Sequence, residues 1–208
     1  MKVLVIGAAG KSGRAVVEQA LAAGHDVTAF VHETKGYLPD LNARVIEGDA
    51  TDRSTMDSAM LGQDAVIDTI GGKNPLKATT LEASTAATIT ASMQSSGVRR
   101  LVVISMIGEG ESKANTNWWE RLLLSTLLRA EMKDKAAMEA IVDASGLDWI
   151  IVRPPFLNDD PGTGNIHVLS AETQETAHKL TRADLAAFMV AQLSSDEFLH
   201  KAVAITNS

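Results

Sequence analysis

Along the chain, short apolar runs alternate with longer segments in which apolar positions recur at three- and four-residue spacing. The runs at 2–6, 27–31, 44–47, 65–70, 101–105, 149–152 and 202–206 predict strands. Several show no polar alternation, the pattern of strands covered on both faces, so a central parallel sheet is expected. Helices are predicted over 15–23, within 79–96 and over 133–145, each ending at a glycine (Gly24, Gly97, Gly146) suited to a left-handed stop. Thr181 and Asp184 supply the hydroxyl and acid of a capping box that opens a last helix through about residue 193. The alternation predicts an α/β fold: a Rossmann-type doubly wound parallel sheet, built as a single domain over residues 1–208.

Two stretches break the pattern, 108–117 and 154–165, both rich in Gly, Pro, Asn and acidic residues. Each follows the carboxyl end of a predicted strand, where open α/β sheets bind their ligands. They read either as walls of an acceptor cleft, extending over 108–120 and 154–180, or as plain surface connections.

Composition narrows the chemistry. With 45% hydrophobic and 22% charged residues the chain can bury a core. A formal net charge of -7 offers no broad basic face, which argues against a nucleic-acid partner. There is no cysteine, so disulfides, thiolate nucleophiles and iron–sulfur ligation are excluded, and a reducing cytoplasm fits. The apolar opening at 3–9 is far shorter than the ~20 residues of a membrane span and reads as a buried strand. His25, His32, His167, His178 and His200 are scattered without ligand spacing, so no metal is expected. A monomer or small homo-oligomer is anticipated.

The strongest chemical signal is Gly7-Ala8-Ala9-Gly10-Lys11-Ser12-Gly13, which follows the first strand directly and opens a helix. Glycines there permit a tight turn and close approach of backbone to phosphate, while unpaired helix N–H groups face a pyrophosphate. The spacing is Gly-x-x-Gly-x-x-Gly, with Ala9 in the middle, and a triphosphate loop would need glycine where Val5 stands. At the end of the second strand an acid would bind the adenine ribose of NAD, but Val31 and then His32 stand there. A cationic or hydrogen-bonding group at that place, helped by Lys11 or Lys35, suits a 2′-phosphate, so NADP(H) is expected over NAD(H). Asp49 with Ala50, and Ile70 with Gly71-Gly72, end two further strands on the same edge as adenine and ribose neighbours. Asp49 could instead cap the helix that follows.

Taken together, Gly7-x-x-Gly10-x-x-Gly13, Gly48-Asp49, the segment from Gly62 to Ile67, Ser145-Gly146-Leu147-Asp148-Trp149 and Val152-Arg153-Pro154-Pro155 resemble the atypical short-chain dehydrogenase/reductases, in their biliverdin-reductase-B-like or flavin-reductase-like branch. Thr79-Thr80 and Thr181-Arg182-Ala183-Asp184-Leu185-Ala186 extend the likeness to about residue 193. The resemblance implies NADP(H) along the strand ends and hydride transfer to flavins, quinones or linear tetrapyrroles. It places Gly7, Gly10, Lys11, Ser12, Gly13, His32 and Asp49 at the adenine half, and Gly71, Ser105 and Pro154 at the nicotinamide half. The family often has arginine where His32 stands, and a second hydroxyl after Ser105, where this chain has Met106.

The wider superfamily uses a Tyr-x-x-x-Lys pair; here Glu131-x-x-x-Lys135 stands instead, and the sole tyrosine, Tyr37, lies elsewhere. Lys135 either binds a ribose hydroxyl or is a solvated helix residue. Ser105 and Lys135 are the candidate catalytic residues. Without the phenol, carbonyl reduction to an alcohol loses a general acid worth about 10²–10⁴-fold. Flavins and quinones spread the incoming charge, so a small conjugated acceptor is the expected partner and a sugar epimerase is not. Trp118, Trp119, Phe156 and Leu157 either offer apolar surface to a planar ring or pack into the core, the tryptophans with Leu122, Leu123 and Leu127 at helical spacing. A rival function is a redox-sensing protein that holds NADP(H) without turnover.

Overall fold

The computed structural model describes residues 1–34, 42–71, 80–170, 172 and 175–207, the side chains of 120 and 121 excepted. Lys35, Tyr37, Gly72 and Thr79, named above, lie outside the described residues. In chain order the elements are β1 (Lys2–Ile6), α1 (Lys11–Ala22), β2 (Asp26–Val31), β3 (Arg44–Glu47), α2 (Arg53–Met60), β4 (Ala65–Asp68), α3 (Leu81–Ser96) and β5 (Arg100–Ile104). A 3₁₀ turn (Gly110–Asn115), α4 (Trp118–Thr126), α5 (Arg129–Asp143), β6 (Asp148–Arg153), β7 (Leu157–Asn158), β8 (Ile166–Leu169), β9 (Leu180–Thr181), α6 (Arg182–Ala191) and β10 (Lys201–Asn207) complete the chain.

Eight strands form one sheet in the order β3-β2-β1-β4-β5-β6-β10-β8. Neighbours run parallel except at one edge, where β8 is antiparallel to β10, a departure from the all-parallel expectation. Such an edge strand is a common addition to an otherwise parallel sheet. The strand order reverses between β1 and β4, which opens a crevice at their carboxyl ends. Two apolar layers cover the sheet. One is built around Val3, Val5, Val16, Val17, Leu185 and Met189, joining β1 to α1 and α6. The other is built around Leu4, Ile6, Met56, Ile89, Met93 and Met138, joining it to α2, α3 and α5.

The predicted glycine stops hold, with Gly24, Gly97 and Gly146 all at positive φ. Helix α1 begins at Lys11, four residues earlier than its apolar periodicity, because the glycine loop itself makes the first turn. Likewise α5 begins at Arg129 rather than 133. Helix α2, expected after Asp49 without bounds, is capped by Asp52, which accepts from the Ser54 and Thr55 N–H groups, and Met56, Ala59 and Met60 fill its buried face.

Candidate cofactor site

The glycine loop folds as its sequence predicts. Gly7 has φ +79, and a Cβ there would lie 3.0 Å from both the carbonyl carbon and Oγ1 of Thr69. A Cβ on Gly13 would sit 2.3 Å from the Gly7 carbonyl oxygen, so only glycine lets α1 start this close to β1. The Gly10 N–H donates to the Gly7 carbonyl at 3.0 Å, closing the turn. Gly10 caps α1 with no side-chain hydrogen bond, and the amides of Lys11, Ser12 and Gly13 lie in the first helical turn, whose N–H groups have no carbonyl within the helix. They form a ready anion cradle, with Ala9 and Gly10 exposed on its rim. Bare glycine backbone with unpaired helix N–H groups is the donor set that fits a pyrophosphate. Lys11, however, donates to Asp159 at 2.7 Å, and Arg182 pairs with the same carboxylate. The loop after β6 is thereby tied across to the glycine loop.

At the adenine end, His32 is exposed just past β2. Glu47 accepts from both the N–H and hydroxyl of Thr34. These bonds hold its carboxyl below the usual range. Asp49 accepts from the Thr51 N–H at 2.8 Å and hydroxyl at 2.7 Å, which lowers its pKa in the same way. The helix cap is Asp52, so the reading of Asp49 as the cap is corrected: it holds the turn before α2. Ala50 is buried in the layer under α2.

At the other end, β5 and β6 bring Ser105 and Pro154 together. The Ser105 N–H donates to the Val152 carbonyl at 2.7 Å and that of Ile107 to the Pro154 carbonyl at 3.0 Å. Both residues are buried. The Ser105 hydroxyl donates to Glu139 Oε1 at 2.5 Å, and Arg153 grips Glu139 through Nε at 3.0 Å and an η nitrogen at 2.5 Å. Gly110 closes over this group, since a Cβ there would meet the Arg153 guanidinium at 3.1 Å. Glu139 and Arg153 were not read from the sequence as site residues.

Lys135 corrects an expectation. It is not solvated: only 5% of its side chain is exposed, and Nζ bonds Glu82 Oε1 at 3.0 Å. Glu82 lies under Gly71, whose Cβ position is 3.8 Å from Glu82 Oε1. Asp134 accepts from the N–H groups of Glu82 and Ala83 and so caps α3 from α5. Asp68 ends β4 and accepts from the Ile70 N–H at 2.9 Å, fixing the turn that leads to exposed Gly71. Asp68, Glu82, Glu131, Asp134 and Lys135 are all buried: four carboxyls around one cation. Burial pushes Asp68 up to about 7, with Glu82 adding and the Ile70 N–H and Lys135 opposing. Burial also raises Glu82 and Glu131 against the pull of Lys135. The signal available in sequence was an acid closing the apolar run at 65–68, and acids at helical spacing around Lys135.

The aromatic segment is not core. Trp118 and Trp119 stack at 3.8 Å and are 64% and 63% exposed, and Leu122, Leu127 and Phe156 are exposed too. Leu124 packs inward instead, against Gly108. A cavity of about 620 Å³ opens beside it, lined among others by Gly108, Lys113, Arg129 and Met132.

A glycine cradle at the reversal point of a doubly wound sheet defines a Rossmann-type nucleotide-binding protein. The chain belongs to the NAD(P)H-binding family, whose model matches residues 7–196. It is 27% identical over 216 residues to the "Uncharacterized sugar epimerase YhfK" of Bacillus subtilis, covering 99% of this chain and 94% of that one. In structure it is similar to the oxidoreductase ylbE of Lactococcus lactis, with a TM-score of 0.84, 19% identity and coverage of 100% and 91%. It is also similar to ChuY, an anaerobillin reductase of Escherichia coli O157:H7, with a TM-score of 0.82, 23% identity and coverage of 100% and 97%. At these identities the two structures bear on the fold. Among the described residues no helix is long and apolar enough to cross a membrane.

Proposed function

We propose that the protein is an NADPH-dependent reductase of flavins, quinones or related conjugated rings, working in the cytoplasm. The carrying observation is the open amide cradle at Lys11 to Gly13, set where the sheet order reverses. When bound, the dinucleotide supplies a hydride. The chain's own groups bind and orient: the cradle and Ser12 at the pyrophosphate, His32 and Asp49 at the adenine ribose, and Ile70, Gly71 and Pro154 along the nicotinamide. With its hydrogen given to Glu139, Ser105 Oγ offers lone pairs and acts as a hydrogen-bond acceptor. Lys135, held by Glu82, positions α3 beneath Gly71. The cavity bounded by Gly108 and Arg129 is of the size that takes a small ring system.

The name of the Bacillus subtilis relative points to sugar chemistry instead, but no tyrosine stands four residues before Lys135 to serve a saturated carbinol. Purified protein, NADPH and either FMN or a benzoquinone should show loss of the reduced nicotinamide absorbance. No oxidation above background across a panel of conjugated acceptors would overturn the reading. His32→Ala should raise the KM for NADPH more than that for NADH; equal effects would remove the argument for a 2′-phosphate.

A further inference from the structure

We infer that the acceptor carries an acidic group on a side arm, a phosphate or a carboxylate, and that Arg129 and Lys113 bind it in the cavity beside Leu124; this rests on the reductase reading above.

The cavity lining starts at Gly108, three residues past Ser105 and so on the carboxyl side of β5. Its apolar part is Leu124 on α4 and Met132 on α5, facing a space in which Gly108 adds no side chain. Its charged part is Arg129, the first residue of α5, with Lys113 in the 3₁₀ turn and the single acid Glu109. Two cations against one acid make a net positive wall in a chain whose formal net charge is -7. At about 620 Å³ the space takes a fused ring and an arm together.

What sets these two cations apart is that nothing holds them. Lys11 and Arg182 share Asp159, Lys135 holds Glu82, and Arg153 holds Glu139. Among the described residues the side chains of Arg129 and Lys113 make neither an ion pair nor a hydrogen bond, with Glu109 or with any other group. An anion bound here therefore breaks no existing pair, whereas one bound by Lys11 must displace Asp159. Nor does the helix explain Arg129, because a cation at the start of α5 opposes the macrodipole. An apolar pocket holds a ring by burial and cannot hold its charged arm; a guanidinium and an ammonium supply the donors that an acidic arm needs.

The anion belongs to the acceptor and not to the dinucleotide. His32, at the adenine end, follows β2, and the sheet order places β2 three strands from β5. At ~4.8 Å per strand that is about 14 Å. The cradle for the linked phosphates lies after β1, two strands from β5.

FMN and riboflavin share one ring system and differ by a phosphate; a naphthoquinone propionate and its methyl ester differ by a carboxylate. With NADPH at low salt, the KM of the acidic member of at least one pair should lie about fivefold or more below that of its neutral partner, and the gap should close as salt is added. The pair that shows the gap tells phosphate from carboxylate. Arg129→Gln and Lys113→Gln should each shrink the ratio about threefold, through KM rather than kcat, and Arg129→Lys should keep most of it. Lys133→Gln removes an equal charge from an exposed place on α5 outside the cavity lining and should leave the ratio as it was. Equal KM values within both pairs, a ratio that falls as far in Lys133→Gln as in Arg129→Gln, or a change in NADPH over NADH preference in place of the acceptor ratio would overturn the assignment while sparing the reductase reading. No turnover in the unaltered protein with any conjugated acceptor would overturn both.

Discussion

Asp68→Asn should make the protein more stable, and by an amount that grows with pH. The substitution removes the charge while the amide oxygen still accepts the Ile70 N–H that Asp68 now binds at 2.9 Å. Burial pushes the folded carboxyl up to about 7 from 3.8. In an unfolded chain it returns to about 3.9. The folded value lies above the unfolded one, so the native state holds the proton more tightly and ionisation costs stability. That cost is absent below about pH 4, builds as pH rises through the interval, and is complete once pH exceeds the folded value. At about 1.4 kcal/mol per unit, a gap of about three units is worth about 4 kcal/mol above pH 7, and about 1.5 kcal/mol at pH 5.

Asn at this position carries none of that cost. Urea unfolding of the two proteins from pH 5 to 9 should show a variant excess rising from about 1.5 to about 4 kcal/mol, with a Tm gap of about 10 °C at pH 8. Parallel stability curves for the two proteins across that range would refute the reasoning. A carboxyl with a raised pKa three residues before Gly71 is a candidate for a binding property of the site. Dinucleotide affinity measured on the same pair reads that property directly.

Lys135→Met removes the buried cation that Glu82 Oε1 binds and should cost about 3–5 kcal/mol in urea, and adding Glu82→Gln should recover most of it; a single-variant cost under about 1 kcal/mol would remove the structural role of the pair. Gly13→Ala drives a methyl into the Gly7 carbonyl, so calorimetry should show dinucleotide affinity lowered at least about tenfold, and unchanged affinity would sink the cradle. For Asp184, burial is outweighed by hydrogen bonds from Thr163, Gly164, Thr181 and Asn207, which hold it down to about 2. Its folded value is below the unfolded one, so it contributes about 2 kcal/mol that is present above about pH 4 and lost as pH falls toward the folded value; Asp184→Asn should be destabilised at pH 7 and converge on the parent in acid. Asp159→Asn should free Lys11 for phosphate and tighten NADPH binding about two- to fivefold at low salt, an effect that fades as salt is added; weaker binding would show that the carboxylate positions the lysine rather than competes for it.

Legibility in the sequence followed the range of the physics involved. The glycine loop was readable because its constraint is local: Gly7 needs positive φ, Gly13 needs bare backbone, and both sit within one turn of strand β1. The helix stops at Gly24, Gly97 and Gly146 were readable for the same reason. The bounds of helix α2 were not, because its amphipathic face is only Met56, Ala59 and Met60 and its start rests on one capping acid. Trp118 and Trp119 misled because helical spacing of apolar residues says which face they share, and nothing about whether a partner covers it.

The deeper loss concerns charge. Lys135 looks like any helix lysine until the fold brings Glu82 from 53 positions away in the chain. Once that pair forms, the other charges follow in order. Asp134 is turned to the start of α3, where it caps two amides. Glu139 is left to Arg153 and Ser105. Glu131 is left with only the longer-range pull of Lys135 among the described residues, and its Oε2 has no hydrogen-bond partner there. One long-range ion pair thus leaves Glu131 without a direct ion-pair partner among the described residues. In sequence the glutamate standing for tyrosine reads as a lost proton donor; in the folded chain burial raises the carboxyl at that place above its ordinary value, against the pull of Lys135.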